Sequence, residues 1–272
     1  MLKRLIDAPG FNTMVRARHG LMLFNRNDIY VGRSIGKYGE FSEAEVNLFA
    51  QFCRAGDIVV EAGSNIGAHT LPLSKLVGPA GRVHAFEPQR IVFQTLCANL
   101  AINSVTNVEA HHAALAAETG IVRIPDLAYE QENNFGGLEL ARLEGGAPVP
   151  QRRLDDCLVL QHCRLIKIDV EGMEHSVITG ARALIAAHRP FLYVENDRLE
   201  KSAALITLIE SLGYRLYWHL PPMFSPDNFA RDAENVFPNL ISVNMLGIPA
   251  EMPISMEGFA SVSAGAHPLQ GR

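Results

Sequence analysis

Carboxylates collect in this chain where an apolar strand should end. In LIKIDVEGMEH (165–175) a hydrophobic run closes on Asp169, Glu171 and Glu174. Desolvating a carboxylate costs on the order of several kcal/mol unless it is paired, so a cation, a shared proton or a set of donors must offset that cost. The same pattern recurs at Glu61 in DIVVEAG, at Glu87 in RVHAFEP and at Glu195-Asn196-Asp197 in FLYVEND; His219 lies in YWHLPPMF. Such groups can bind an ammonium, accept a proton from a hydroxyl, or hold an oxygen-seeking divalent ion. Lys167 shares the strand face of Asp169, and an ion pair with a neighbouring acid is its expected role.

The stretch Glu61-Ala62-Gly63-Ser64-Asn65-Ile66-Gly67 places an acid before glycines spaced G-x-x-x-G. This departs from the dinucleotide fingerprint G-x-G-x-x-G, because Asn65 stands where a glycine lets backbone approach a pyrophosphate. A diphosphate is therefore a poor fit, and an acidic strand end suits a ligand carrying an ammonium. Glu87 ends the next strand, where a carboxylate can accept both hydroxyls of a ribose. Taken alone, the glycines are equally compatible with a tight strand-to-helix turn.

These residues need elements to position them. From Asp57 onward, short β-rich runs alternate with helical patterns, which predicts a parallel sheet covered on both faces. The expected strands are 57–63, 82–88, 107–115, 165–170, 191–197, 214–220 and 240–246, with helices over 66–77, 89–103, 173–188 and 199–212. In an open α/β sheet, ligands bind at the carboxyl ends of the strands, and Glu61, Glu87, Asp169, Glu195 and His219 all fall there. Residues 1–45 read as an extension holding a hairpin, GLMLFNRNDIYVGRS, with its turn near Asn27-Asp28. Residues 46–248 form the main domain, 116–160 an insertion within it, and 249–272 a loosely ordered tail.

Composition narrows the function. The chain has 272 residues, 48% hydrophobic and 19% charged, with a formal charge of −5; this is globular rather than disordered and argues against nucleic acid as a partner. Cys53, Cys97, Cys157 and Cys163 show neither disulfide nor zinc-finger spacing. No apolar export signal follows the N-terminus and no run is long enough to span a bilayer. A cytoplasmic protein is expected, with a homo-oligomer left open.

The glycine stretch combined with Glu87 resembles the class I methyltransferases. More specifically EAGSNIGAHT, FEP and KIDVEGMEH, in that order, resemble the FkbM family over about residues 40–245. The resemblance implies a Rossmann-like sheet of seven mostly parallel strands with the last antiparallel, S-adenosylmethionine as cofactor, and O-methylation of a sugar, glycan or glycosylated natural product. It implies cofactor contacts from Glu61, Gly63, Asn65, Gly67, Thr70, Glu87 and Asp169. Two departures are mild: Glu61 stands where Asp is commoner in the family, and Ser64 where Ala is commoner. The rival expectations are a nicotinamide-dependent oxidoreductase and a non-catalytic nucleoside-binding module.

Methyl transfer to an alcohol requires positioning and removal of a proton from a weakly acidic hydroxyl. Asp169, Glu171 and His219 are the candidates near the acceptor. An Asp after one strand and an acid-Asn pair after the next also resembles the Mg-dependent catechol-type O-methyltransferases, which implies Mg²⁺ or Mn²⁺ on Asp169, Glu195 and Asn196; Gly172 stands where those enzymes carry a lysine. Glu174 is read as an acidic helix start, and His69, His111, His112 and His175 as packing residues. Asn133, Asn134 and Phe135 in ENNFGG combine amides with an aromatic ring and could bind a sugar, or simply form a turn. Phe224, Asn228, Phe229 and Asn235 repeat that composition and are the expected opposite wall.

Overall fold

The computed structural model describes residues 2–6, 9–137, 145–262 and 267–270. Parts of the expected insertion (138–144) and tail (263–266 and 271–272) lie outside the described residues.

The N-terminal segment is a small antiparallel sheet of β1 (Arg4–Ile6), β2 (Asn12–Ala17) and β3 (Gly20–Asn25), followed by α1 (Val31–Tyr38) and α2 (Glu43–Phe52). The hairpin does not turn at Asn27-Asp28; it turns at Arg18-His19 between β2 and β3. Asn25 Oδ1 accepts the Asn27 N–H at 2.8 Å and Asp28 Oδ1 accepts the Tyr30 N–H at 2.9 Å. These local side-chain acceptors fold the chain into the start of α1 instead of a reversing loop.

The main sheet comprises β4 (Ile58–Ala62), β5 (Arg82–Phe86), β6 (Val108–His111), β10 (Leu165–Ile168), β11 (Phe191–Glu195), β12 (Tyr214–His219) and β13 (Asn244–Pro249), in the order β12-β13-β11-β10-β4-β5-β6. Strands β6, β5, β4, β10 and β11 run parallel, while β13 is antiparallel to both its neighbours, β11 and β12. Alternation sends Val60, Ala62, Ile166, Ile168, Leu192 and Val194 to one face and Val59, Leu165, Phe191 and Tyr193 to the other. Both faces are buried, as a parallel sheet requires.

Helices α4 (Arg90–Ile102) and α8 (Leu199–Ser211) fall where the periodicity placed them, α3 (Thr70–Val77) starts at Thr70 rather than at 66, and a one-turn α5 (Leu154–Cys157) lies within the insertion. The expected helix 173–188 is instead two short pieces, α6 (Glu174–Thr179) and α7 (Arg182–His188). The backbone of Ala116 sits where a Cβ on Gly180 would stand, 2.1 Å from the Ala116 carbonyl oxygen, and this close crossing falls at the break between them. The expected strand 107–115 also divides: β6 stays in the main sheet, and β7 (Ala114–Leu115) pairs with β9 (Ala147–Arg152), which pairs with β8 (Gly120–Ile124). The last strand starts at Asn244 rather than at 240.

Asparagines on α4 fasten the N-terminal sheet to the core. Asn99 and Asn103 each accept a backbone N–H from β3 and donate back to a β3 carbonyl, through Leu23 and Leu21 at 2.7–2.9 Å. An otherwise open strand edge is thereby satisfied by side chains.

Candidate functional site

The strand order reverses between β4 and β10, and their carboxyl ends open into a cleft. Gly63 makes that junction possible: its φ is +81°, and a Cβ there would stand 1.8 Å from the Asp169 carbonyl oxygen. No other residue tolerates both constraints. Glu61 on β4, Lys167 on β10 and Tyr193 on β11 are register partners across the sheet, so alternation lays their side chains in one buried row on the face covered by α2 and α3.

Lys167 is 2% exposed and donates to Asp169 Oδ2 at 2.9 Å. Burial alone would lower its pKa, but the charges of Asp169, Glu61 and Glu45 outweigh that and raise it, so the ammonium stays protonated. Glu61 is fully buried; Oε2 accepts from the Thr70 hydroxyl at 2.6 Å, while Oε1 has no partner. Burial lifts the Glu61 and Glu45 carboxyls to about 7 against the pull of Lys167. His69 Nε2 is likewise buried and without a hydrogen-bond partner, 3.6 Å from Glu45 Oε2, and burial followed by the Lys167 charge holds the imidazole neutral.

Glu87, at the end of β5, accepts the backbone N–H of Gln89 at 2.8 Å and of Asn65 at 3.0 Å, and burial raises it to about 7. Each carboxylate oxygen has a second lone pair, so these bonds leave capacity for hydroxyls. Glu87 and Gly63 border two connected spaces: a narrow slot against Phe86, Pro88, Ala113, Leu115 and Met173, and a wider cleft of about 370 Å³ holding Glu61, His69 and Lys167. Asn65 (φ +49°) and Asp169 also line the cleft.

At the mouth, Asp169, Glu171 and Glu195 bring carboxylate oxygens within 4.8 Å of one another. Glu195 Oε2 is shielded and unpartnered, and burial followed by the charges of Asp169 and Glu171 raises its pKa well above the usual range. Glu171 is pushed up to about 8 by burial and then by Asp169, although Arg198 lies 2.6 Å away. The cleft counts seven carboxylates, Glu45, Glu61, Glu87, Asp169, Glu171, Glu195 and Asp197, against Lys167 and Arg198.

Several expected site residues lie elsewhere. Asn196 follows Glu195 and so turns to the opposite face, where its Nδ2 donates to Ser202 Oγ at 2.9 Å and Met245 Sδ at 3.2 Å. Glu171 stands in its place in the acidic group. His219 is held by the Tyr193 hydroxyl at 2.7 Å and packs on Phe259, away from the cleft lining, with burial lowering its pKa to about 4. Thr70 reaches Glu61 and does not border the cleft, and Gly67 packs so closely on α4 that a Cβ would meet Leu96 at 2.8 Å.

Of the ENNFGG residues, Asn134 lines the cleft. Phe135 is 2% exposed and stacks on Tyr129, because its apolar ring completes the core beside α4. Asn133 is exposed and joins residues 27–29 through its backbone. The opposite wall is not formed by Phe224, Asn228, Phe229 and Asn235: Phe224 packs on Tyr38, Phe229 lies against Gly39, and Asn228 and Asn235 satisfy backbone groups within their own loop. Met223 and residues 240–243 face the cleft, together with Tyr30, Val31 and Phe41 from the N-terminal segment. The sequence offered no spacing signal for Tyr30, Phe41 or Glu45, whereas strand alternation alone could have placed Lys167 beside Glu61.

The buried acid row, the glycine junction and the slot beside Glu87 fit a nucleoside-bearing cation. Comparisons with known proteins agree with a transferase. "Methyltransferase 1" of Beauveria bassiana is 29% identical over 194 residues, covering 62% of this chain and 76% of that protein. "31-O-demethyl-FK506 methyltransferase FkbM" of Streptomyces tacrolimicus is 28% identical over 207 residues, covering 63% and 73%. A solved FkbM methyltransferase from Methylobacillus flagellatus KT aligns at 18% identity and a TM-score of 0.47, over 75% of this chain and 50% of that one. The family described as "Methyltransferase FkbM domain" matches residues 61–216, which include Glu61, the glycine junction, Glu87 and the whole acidic group, and the chain belongs to that methyltransferase family.

Proposed function

We propose that this methyltransferase uses S-adenosylmethionine to methylate a hydroxyl of a sugar, glycan or glycosylated natural product, assisted by Mg²⁺ or Mn²⁺. The observation that carries the reading is the convergence of Asp169, Glu171 and Glu195 at the mouth of a cleft whose floor is Glu61 and Lys167. S-Adenosylmethionine supplies an electrophilic methyl group on a sulfonium. Glu61 Oε1, buried without a partner, suits the ammonium of its amino-acid end, and the spare lone pairs of Glu87 suit two ribose hydroxyls. The slot between Phe86 and Leu115 has the apolar walls that a base requires. The excess of carboxylates favours a cationic cofactor over its neutral product.

Asp169, Glu171 and Glu195 would hold the divalent ion, since three carboxylate oxygens with room for water suit Mg²⁺ or Mn²⁺. There the ion would lower the pKa of an acceptor hydroxyl. Lys167 fixes Asp169, and Arg198 orients Glu171. Asn134, Tyr30 and Met223 border the space left for the acceptor. A hydroxyl acceptor is also consistent with the Streptomyces relative, whose name specifies an O-demethyl substrate.

The test is transfer of labelled methyl from S-adenosylmethionine to panels of glycans and hydroxylated natural products, with the methylated atom mapped. Label on oxygen is expected, and Asp169→Asn should reduce turnover by about 10²-fold or more. Label on nitrogen or carbon alone would overturn the acceptor class. Undiminished turnover after exhaustive chelation would remove the metal and leave Glu171, with its pKa near 8, as the base.

A further inference from the structure

A second group of metal-ligating side chains lies outside the cleft, at the edge of the main sheet. His84 on β5 is the register partner of Glu109 on β6, and Phe86 is the partner of His111. Strand alternation therefore puts His84, Glu109 and His111 on one face, and their ligand atoms all fall within 4.8 Å of one another. His84 Nδ1 is 3.4 Å from His111 Nε2 and 3.5 Å from Glu109 Oε2.

Those separations have a simple meaning in coordination geometry. With Zn–N of about 2.0–2.1 Å and Zn–O of about 2.0–2.2 Å, two donors on adjacent corners of a tetrahedron stand about 3.3–3.5 Å apart. A direct hydrogen bond between ring nitrogens would be nearer 2.9–3.0 Å. The imidazoles are also held in place. The His111 ring stacks on Phe86 at 4.3 Å between centroids, and His84 is 7% exposed. Glu109 gives its other oxygen to Arg82 at 3.2 Å, which orients the carboxylate while leaving Oε2 toward the histidines. Its side chain is half exposed, so it can swing to close the third edge.

We propose that His84, Glu109 and His111 form a zinc-class divalent-cation site, separate from the carboxylate group of the cleft. Two imidazoles and one carboxylate select a borderline cation such as Zn²⁺ over Mg²⁺, which prefers oxygen alone. The His111 carbonyl accepts the Glu87 N–H at 3.1 Å, so an ion here would tie the end of β6 to the strand end that carries Glu87.

The test uses the full chain, stripped by chelation and titrated with Zn²⁺ and with Co²⁺ as a visible probe. One Zn²⁺ per chain and the absorption of tetrahedral Co²⁺ are expected. Glu109→Ala and His111→Phe should each weaken Zn²⁺ by about tenfold or more, with Glu171→Gln and Glu195→Gln leaving it unchanged. Phe preserves the stack on Phe86 and Glu109 is half exposed, so both variants should fold, as circular dichroism would check. Absence of Zn²⁺ binding overturns the proposal, as does binding that survives Glu109→Ala and His111→Phe or disappears only with the cleft variants.

Discussion

Glu61 shows how one side chain can be both costly and useful. It is fully buried, tied on one oxygen by Thr70 and bare on the other. Glu61→Gln keeps the Thr70 partner but removes the charge, and a lost charge-assisted bond of about 1.5–3 kcal/mol should weaken S-adenosylmethionine binding roughly tenfold to a hundredfold; calorimetric titration measures it. The same burial makes stability depend on pH. Glu45, Glu61 and Glu87 titrate at about 7 in the fold, against an ordinary value of 4.5. Between those values the folded chain binds more protons than the unfolded chain. Stability is therefore highest toward the acid side of this window and falls as pH rises through the folded pKa, by about 1.4 kcal/mol per pH unit for each proton. Thermal melts of the ligand-free protein should show Tm rising from about pH 8 to about pH 6, with a shallower slope in Glu61→Gln. A flat profile would contradict the burial argument.

At the level of elements, Glu61 on β4 and Lys167 on β10 join adjacent parallel strands by charge as well as by backbone bonds. Lys167→Met leaves Glu45, Glu61 and Asp169 without their shared cation, and breaking a buried ion group costs about 3–5 kcal/mol. Urea denaturation should show that loss, and adding Glu61→Gln to Lys167→Met should recover part of it. Additive destabilisation in the double variant would mean that the two do not share an interaction. Gly63→Ala acts on the same junction through the backbone. Its Cβ would drive β4 away from Asp169 at a positive φ, so a Tm drop corresponding to at least about 1–3 kcal/mol is expected, together with loss of cofactor binding.

The cleft mouth belongs to the whole molecule. Tyr30, Val31 and Phe41 come from before the repeating sheet, and Met223 and residues 240–243 from the loop before its last strand. Tyr30, Phe41, Met223 and Leu240 pack in one apolar group beside the cleft, so Met223→Ala or Tyr30→Ala should raise KM for the acceptor found by the labelled-methyl screen by about 10-fold, the scale of a lost apolar contact of 1–3 kcal/mol. Cofactor affinity should stay unchanged. Equal losses in acceptor and cofactor binding would show that these walls hold the cofactor instead.

Sequence by itself determined the alternation of strands and helices, the acids at the strand ends and the glycine junction. Those features are local: periodicity, burial at a strand end and backbone freedom at one residue each leave a readable pattern. Tertiary structure alone decided which acids meet. Asn196 follows Glu195 and was expected to join the group, yet the pleat sends the two to opposite faces and puts Glu171 there instead. His219 and Phe135 had suitable chemistry but were taken up by Tyr193 and by the core. Glu45 and His69 gained their places only because α2 and the start of α3 pack over Lys167. Contacts between residues far apart in the chain depend on register and packing, and neither is encoded in the spacing of a single stretch.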